Sequence, residues 1–105
     1  MVTHSASFTE AVLALVEEIP AGQVASYGDL AALLGSHGAR AVGQVMAYSN
    51  GAVPWWRVVR ADGSPPPGHE AEALGHYEAE DTPLRSKADG GYRVDIRACR
   101  WDPFS

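Results

Sequence analysis

Cysteine is nearly absent: Cys99 is the only one in 105 residues, which excludes a disulfide framework and a thiolate zinc cluster. No apolar run approaches the ~20 residues a membrane span requires, so no membrane role is expected. The start of the chain lacks the basic opening and apolar stretch of a secretion signal, so the expected location is cytoplasmic. The histidines His4, His37, His69 and His76 are scattered. Only His69 and His76, two helical turns apart, could share a face, and neither a metal nor another cofactor is expected.

Acidic residues are missing from one whole window. Between residues 30 and 61 there is none, and that window carries Arg40, Arg57 and Arg60. Residues 62–81 reverse the pattern, with Asp62, Glu70, Glu72, Glu78, Glu80 and Asp81 and no Lys or Arg. Residues 85–101 turn basic again through Arg85, Lys87, Arg93, Arg97 and Arg100. The net charge of −5 argues against a generic nucleic-acid binder. The blocks fit either ordinary solvated surfaces or one anion-tolerant face set against one acidic face. At this length residues 1–105 are expected to form a single domain, monomeric by default, burying somewhat more than ~60% of the unfolded surface.

Ser7-Phe8-Thr9-Glu10 has the form of a capping box, so a helix is expected to begin there. Phe8, Val12, Leu15, Val16 and Ile19 recur at helical spacing and Pro20 closes the run. Ser26-Tyr27-Gly28-Asp29 repeats the capping logic for a short helix through Leu30, Leu33 and Leu34 that ends at Gly35. The connection Gly35-Ser36-His37-Gly38 leads to a second helix from about Ala39 to Tyr48, which makes a helix-turn-helix. Along it Ala39, Gly43 and Ala47 leave one face almost bare, able to approach either another helix or a DNA groove. Asp62-Gly63-Ser64 signals a turn and Pro65-Pro66-Pro67-Gly68 a rigid loop. A helix over 69–80 follows, with Ala71, Ala73, Leu74 and Tyr77 apolar. Tyr92, Val94, Ile96 and Ala98 then alternate like a half-buried strand, and Trp101 is expected to pin the tail.

The segment all of this surrounds is Pro54-Trp55-Trp56-Arg57-Val58-Val59. Adjacent tryptophans carry large apolar rings, each with one N–H that needs a partner. The β-branched valines and Pro54 suggest a loop running into a short buried strand, which would send Trp55 and Trp56 to opposite faces. Trp55 is then the pocket candidate, and Trp56 either lines the pocket or packs in the core.

Three collinear motifs carry a resemblance: Ile19-Pro20-Ala21-Gly22-Gln23-Val24-Ala25-Ser26-Tyr27-Gly28-Asp29-Leu30-Ala31, Ala39-Arg40-Ala41-Val42-Gly43, and the proline with Arg57-Val58-Val59. Over roughly residues 8–80 the chain resembles the C-terminal domain of O6-alkylguanine-DNA alkyltransferases. That family places an alkyl-accepting cysteine and a histidine after the proline, where this chain has Trp55 and Trp56. It is therefore most similar to the alkyltransferase-like branch, in which tryptophan replaces the nucleophile. That branch usually keeps the histidine that is Trp56 here. An indole offers no thiolate nucleophile at neutral pH, so no alkyl transfer is expected by that route. Cys99 is the one substitute, without a motif around it.

The resemblance implies a mainly α fold with a short β element, a winged-helix-like helix-turn-helix DNA-binding domain. It implies double-stranded DNA containing O6-alkylguanine as partner, minor-groove binding and nucleotide flipping, and hand-over to nucleotide excision repair proteins. Tyr27 would press on the phosphate beside the target and Arg40 would fill the vacated stack. Ala39, Ala41 and Gly43 would form the thin groove-facing surface, and Ser26 would touch a phosphate. Met46, Trp55, Trp56 and the Pro65 to Gly68 loop, Pro67 and Gly68 above all, would line the pocket for the flipped base. Arg57 would brace the loop, and Glu80 sits near the family's network glutamate. Alternatives are a helix-turn-helix regulator reading undamaged DNA, an alkyltransferase using Cys99, and a protein-interaction domain derived from the repair fold.

Overall fold

The first helix, α1 (Thr3–Glu17), starts earlier than the capping box suggested. The computed structural model describes residues 3–35, 38–49 and 51–104, with the backbone alone for 3–7. Ser7 therefore lies inside α1, and its side chain falls outside the described residues. Val12, Val16 and Ile19 are fully buried along one stripe, and each such side chain contributes roughly 1.5–3 kcal/mol relative to exposure. The last turn tightens as Glu18 and Ile19 donate to the Leu15 and Val16 carbonyls at 3.0 and 3.1 Å, and Pro20 prevents continuation.

β1 (Ala25–Ser26) runs directly into α2 (Tyr27–Leu34). The expected cap is present in both directions. Ser26 Oγ accepts from the Asp29 N–H at 2.9 Å, and Asp29 Oδ2 accepts from the Ser26 N–H at 3.0 Å. Gly35 closes α2 in the left-handed region at φ 77°, a conformation nearly free for glycine alone. α3 (Gly38–Ala47) follows, and Val42 from it joins Leu30 and Ala31 of α2 against α1. Ser36 and His37, at the centre of the connection, lie outside the described residues.

β2 (Val58–Val59) pairs with β1 in parallel, Ala25 with Val58 and Ser26 with Val59. On the other side of this segment Val24 bridges Arg100. The Val24 N–H donates to the Cys99 carbonyl, and the Trp101 N–H donates back to the Val24 carbonyl at 2.8 Å. The half-buried Trp101 ring packs on the first core, so it pins the tail as expected.

A second core contains Val24, Val59, Ala73, Tyr77, Val94, Ile96 and Cys99. α4 (Glu70–Ala79) supplies Ala73 and Tyr77 to it, while Ala71 is exposed. β3 (Leu84–Ser86) and β4 (Tyr92–Val94) form an antiparallel hairpin. Two expectations are corrected here. β3 was not foreseen, and the strand beginning at Tyr92 stops at Val94. Ile96–Cys99 is a single helical turn, α5, which buries Ile96 and Cys99 and exposes Ala98. Gly63, at φ 92°, turns the chain beneath this hairpin, and its carbonyl accepts from the Val94 N–H at 2.8 Å. A Cβ there would collide with the Val94 carbonyl oxygen. The described chain is thus mainly helical, with a helix-turn-helix and short β elements.

Candidate functional site

Trp55–Arg57 is not the start of a strand but a 3₁₀ turn capped by Pro54. The Arg57 N–H donates to the Pro54 carbonyl at 3.1 Å and the Val58 N–H to that of Trp55, and only then does the chain extend. Alternation between opposite faces therefore does not apply to the two tryptophans. With about three residues per turn, adjacent side chains splay by roughly a third of a rotation. The indoles meet edge to face at 5.7 Å and 87°.

Trp56 is turned away from the pocket, which corrects its assignment as lining. It packs on the second core and stacks on His76 with ring centroids 3.6 Å apart and planes 5° apart. Its N–H donates to Glu80 Oε2 at 2.9 Å. The same carboxylate accepts from Arg57 Nη2 at 2.6 Å, from Arg57 Nε at 3.1 Å and from the Gly22 N–H at 3.0 Å. Arg57 Nη1 also donates to the Ile19 carbonyl at 2.9 Å, and the Tyr77 hydroxyl donates to the Trp56 carbonyl at 2.5 Å. Arg57 thus ties the tryptophan turn to the end of α1, the bracing role expected for it. Burial pushes the Glu80 carboxyl up, but the Arg57, Gly22 and Trp56 donors and the Arg57 charge together hold it below the ordinary glutamate range.

Trp55 faces a cavity of about 550 Å³ between α3 and the proline loop, well within the size of small-ligand pockets. Met46, Trp55 and Pro67, expected as lining, meet there, and so do Tyr27 and Gly43, which were expected as DNA contacts, whereas Gly68 and Trp56 do not line it. Pro66, from the proline loop expected there, lines it too, and sequence reasoning missed Ala47, Ser49, Gly51, His69 and Glu72. The shared face of His69 and His76 was a usable signal, because their rings lie 5.6 and 5.9 Å from Trp55. His69 Nδ1 stands 3.6 Å from Glu72 Oε1, which gives the rim a polar pair. Tyr27, half-buried at the first position of α2, has its phenol raised by burial, with Arg60 pulling partly the other way, and it stays protonated near neutrality.

The remaining candidates fall outside the cavity. Ala39 and Arg40 are exposed in the first turn of α3 and Ala41 is half-buried beside them. Ser26 is buried, its oxygen already accepting the Asp29 cap bond. Cys99 is in the second core, its thiol donating to the Asp95 carbonyl at 3.3 Å. Burial, with the Asp95 charge, pushes that thiol up to about 11, so almost none is thiolate at neutral pH. The cavity itself offers apolar and aromatic surface with a polar rim.

These features define a helix-turn-helix domain carrying a preformed aromatic pocket beside its second helix. The chain matches the family described as 6-O-methylguanine DNA methyltransferase, DNA binding domain, over residues 7–80, and it belongs to that family. The crystal structure of S. pombe Atl1, an alkyltransferase-like protein, in complex with damaged DNA containing O6-carboxymethylguanine superposes with a TM-score of 0.82. That protein is 30% identical, over 93% of this chain and 97% of its own. A second S. pombe ATL structure, in complex with DNA, gives 0.80 at the same identity and coverage. A bifunctional methyltransferase/endonuclease of Picrophilus torridus is 32% identical over 99 residues. The chain spans only 30% of that relative's length.

Proposed function

We propose that this chain acts as a single, monomeric domain that binds duplex DNA containing O6-alkylguanine, takes the flipped base into the Trp55 cavity and leaves it chemically unchanged. The observation that carries the reading is the indole of Trp55 facing a preformed cavity beside a helix-turn-helix, in a chain 30% identical to a protein solved with O6-carboxymethylguanine DNA. On this reading Trp55 stands where the family's alkyl-accepting cysteine would be. An aromatic wall gives a flipped base a stacking surface worth ~1–3 kcal/mol, with no nucleophile to attack its substituent. α3 enters the minor groove on its small-residue face, and Arg40 fills the gap left by the flipped base. Ser26 touches a phosphate through its hydroxyl hydrogen, its oxygen being held by the cap.

The held lesion is then passed to nucleotide excision repair proteins. The acidic surface of α4 is the docking face, carried by the exposed Glu70, Glu72 and Glu78. Glu80 is withdrawn from that surface by its bonds to Arg57 and Trp56. Exchanging Glu70 and Glu78, which do not line the cavity, should abolish partner recruitment while lesion affinity stays intact.

The test of the core reading is competition between matched duplexes with O6-methylguanine or guanine at moderate salt, followed by the intact mass of the protein. Preference for the lesion at unchanged mass supports a non-catalytic binder. Equal binding sinks it, and a gain of one methyl assigns chemistry to Cys99.

A further inference from the structure

Of the arginines in the acid-free window, Arg57 is consumed in bracing and Arg40 has a place in the groove, but Arg60 has no task. The β1–β2 pairing gives it one. Ala25 lies beside Val58 and Ser26 beside Val59 in parallel register. The next residue on each chain is Tyr27 and Arg60, so the two leave the end of the sheet side by side. Their nearness registers electrically, since the Tyr27 phenol, raised mainly by burial, is pulled back by the Arg60 charge.

Tyr27 lines the cavity, and Arg60 is exposed next to it. The backbone of Arg60 is fixed: its N–H donates to the Ser64 carbonyl and its own carbonyl accepts from the Gly63 N–H, both at 2.9 Å. Among the described residues, no hydrogen bond or ion pair engages the Arg60 guanidinium or the Tyr27 hydroxyl. Glu70 feels the Arg60 charge but makes no ion pair with it. Two side-chain donors, one of them cationic, thus leave the same end of the sheet, Tyr27 into the cavity lining and Arg60 exposed, with no hydrogen-bond or ion-pair partner among the described residues.

We propose that Arg60 and Tyr27 together grip one backbone phosphate of the bound duplex at the mouth of the cavity. This rests on the DNA-binding reading above, in which the family resemblance already sets Tyr27 against a phosphate, and what is added is Arg60 as its cationic partner. Arg60 supplies the charge and a planar fork for the phosphate oxygens, and the Tyr27 O–H supplies a second, neutral donor. A phosphate is present whatever the base, so the clamp strengthens binding to any duplex and carries no lesion selectivity. In a chain of net charge −5, one fixed cation at the mouth also offsets the repulsion that DNA would otherwise meet.

The test is the salt dependence of affinity for matched duplexes with guanine or O6-methylguanine, using the wild type, Arg60→Gln, Arg60→Lys, Tyr27→Phe and the Gln/Phe double variant. Arg97→Gln, an exposed cation on α5, serves as control. Arg60→Gln should weaken binding to both duplexes about tenfold and reduce the slope of log K against log salt by ~0.9. Arg60→Lys should keep the slope, and the control should match the wild type. The double variant should lose less than the product of the two single losses, because both side chains hold one phosphate. An unchanged slope in Arg60→Gln, or single losses that simply multiply, would overturn the clamp. Lesion preference with an unchanged slope refutes the clamp and leaves the lesion reading standing. A reduced slope in a protein that shows no lesion preference does the reverse.

Discussion

Replacing Glu80 by Gln keeps the shape of the side chain and removes its charge, which isolates what the carboxylate does. Four donors converge on it: two from Arg57, one from Trp56 and the Gly22 N–H, at 2.6 to 3.1 Å. An amide can present only one acceptor oxygen, so its NH₂ must face donors it cannot accept. Arg57, its side chain 17% exposed, then keeps a charge with no counterion. Breaking a buried pair from one side costs about 3–5 kcal/mol, and with some solvent access ~2–4 is expected here. At about 4–8 °C per kcal/mol for a domain of this size, the midpoint should fall by about 8–32 °C. Urea denaturation at pH 7 measures the difference. A pH series checks its origin. The folded-state Glu80 is held below the ordinary range, so its contribution is complete above ~4.3 and is lost as pH falls through the folded value. The gap between wild type and variant should therefore close below about pH 4. A gap under ~0.5 kcal/mol at pH 7, or one that stays constant into acid, would refute the account of the network.

Trp55→Ala should abolish lesion preference, costing about 5- to 100-fold on the O6-methylguanine duplex by fluorescence anisotropy, with affinity for undamaged duplex nearly unchanged. Gly63→Ala forces a left-handed backbone and a clash with the Val94 carbonyl and should lose about 2–4 kcal/mol in chemical denaturation. Gly43→Ala meets open space in mid-helix and should gain up to ~1 kcal/mol, while weakening DNA binding by thickening the groove-facing side of α3. Cys99 should label with a thiol reagent at pH 8 only slowly in the native protein and rapidly in denaturant.

Where local chemistry is self-contained, the sequence was readable. Ser26 with Asp29, and Gly35 after Leu34, specify both ends of α2 through bonds closed within a few residues. Readability failed where a short pattern fits two periods. Ile96 to Cys99 satisfies alternation on paper, yet the same four residues make one helical turn with Ile96 and Cys99 on a single face. The tryptophan turn was misread for a similar reason. Val58 and Val59 do form a strand, but the Pro54 carbonyl captures the Arg57 N–H first, and no propensity reports that bond. β3 offers only Leu84 as an apolar residue and owes its extended form to its pairing with β4. The cavity was half legible. Met46, Trp55 and the proline loop were expected in it and Tyr27 and Gly43 only as DNA contacts, whereas His69 and Glu72 enter because α4 begins beside Trp55, a tertiary fact.

The family match ends at residue 80, yet the residues beyond it hold the segment that presents Tyr27. Cys99 and Trp101 clasp Val24 from both sides of its peptide. Two residues past Tyr27, Arg100 grips the Asp29 carboxylate at 2.6 Å. Mechanically the tail is a strap across the hinge between β1 and α2. A truncation at residue 80 would leave every motif intact and still slacken the bearing on which Tyr27 sits, so the motif-bearing module and the working module of this protein differ in length.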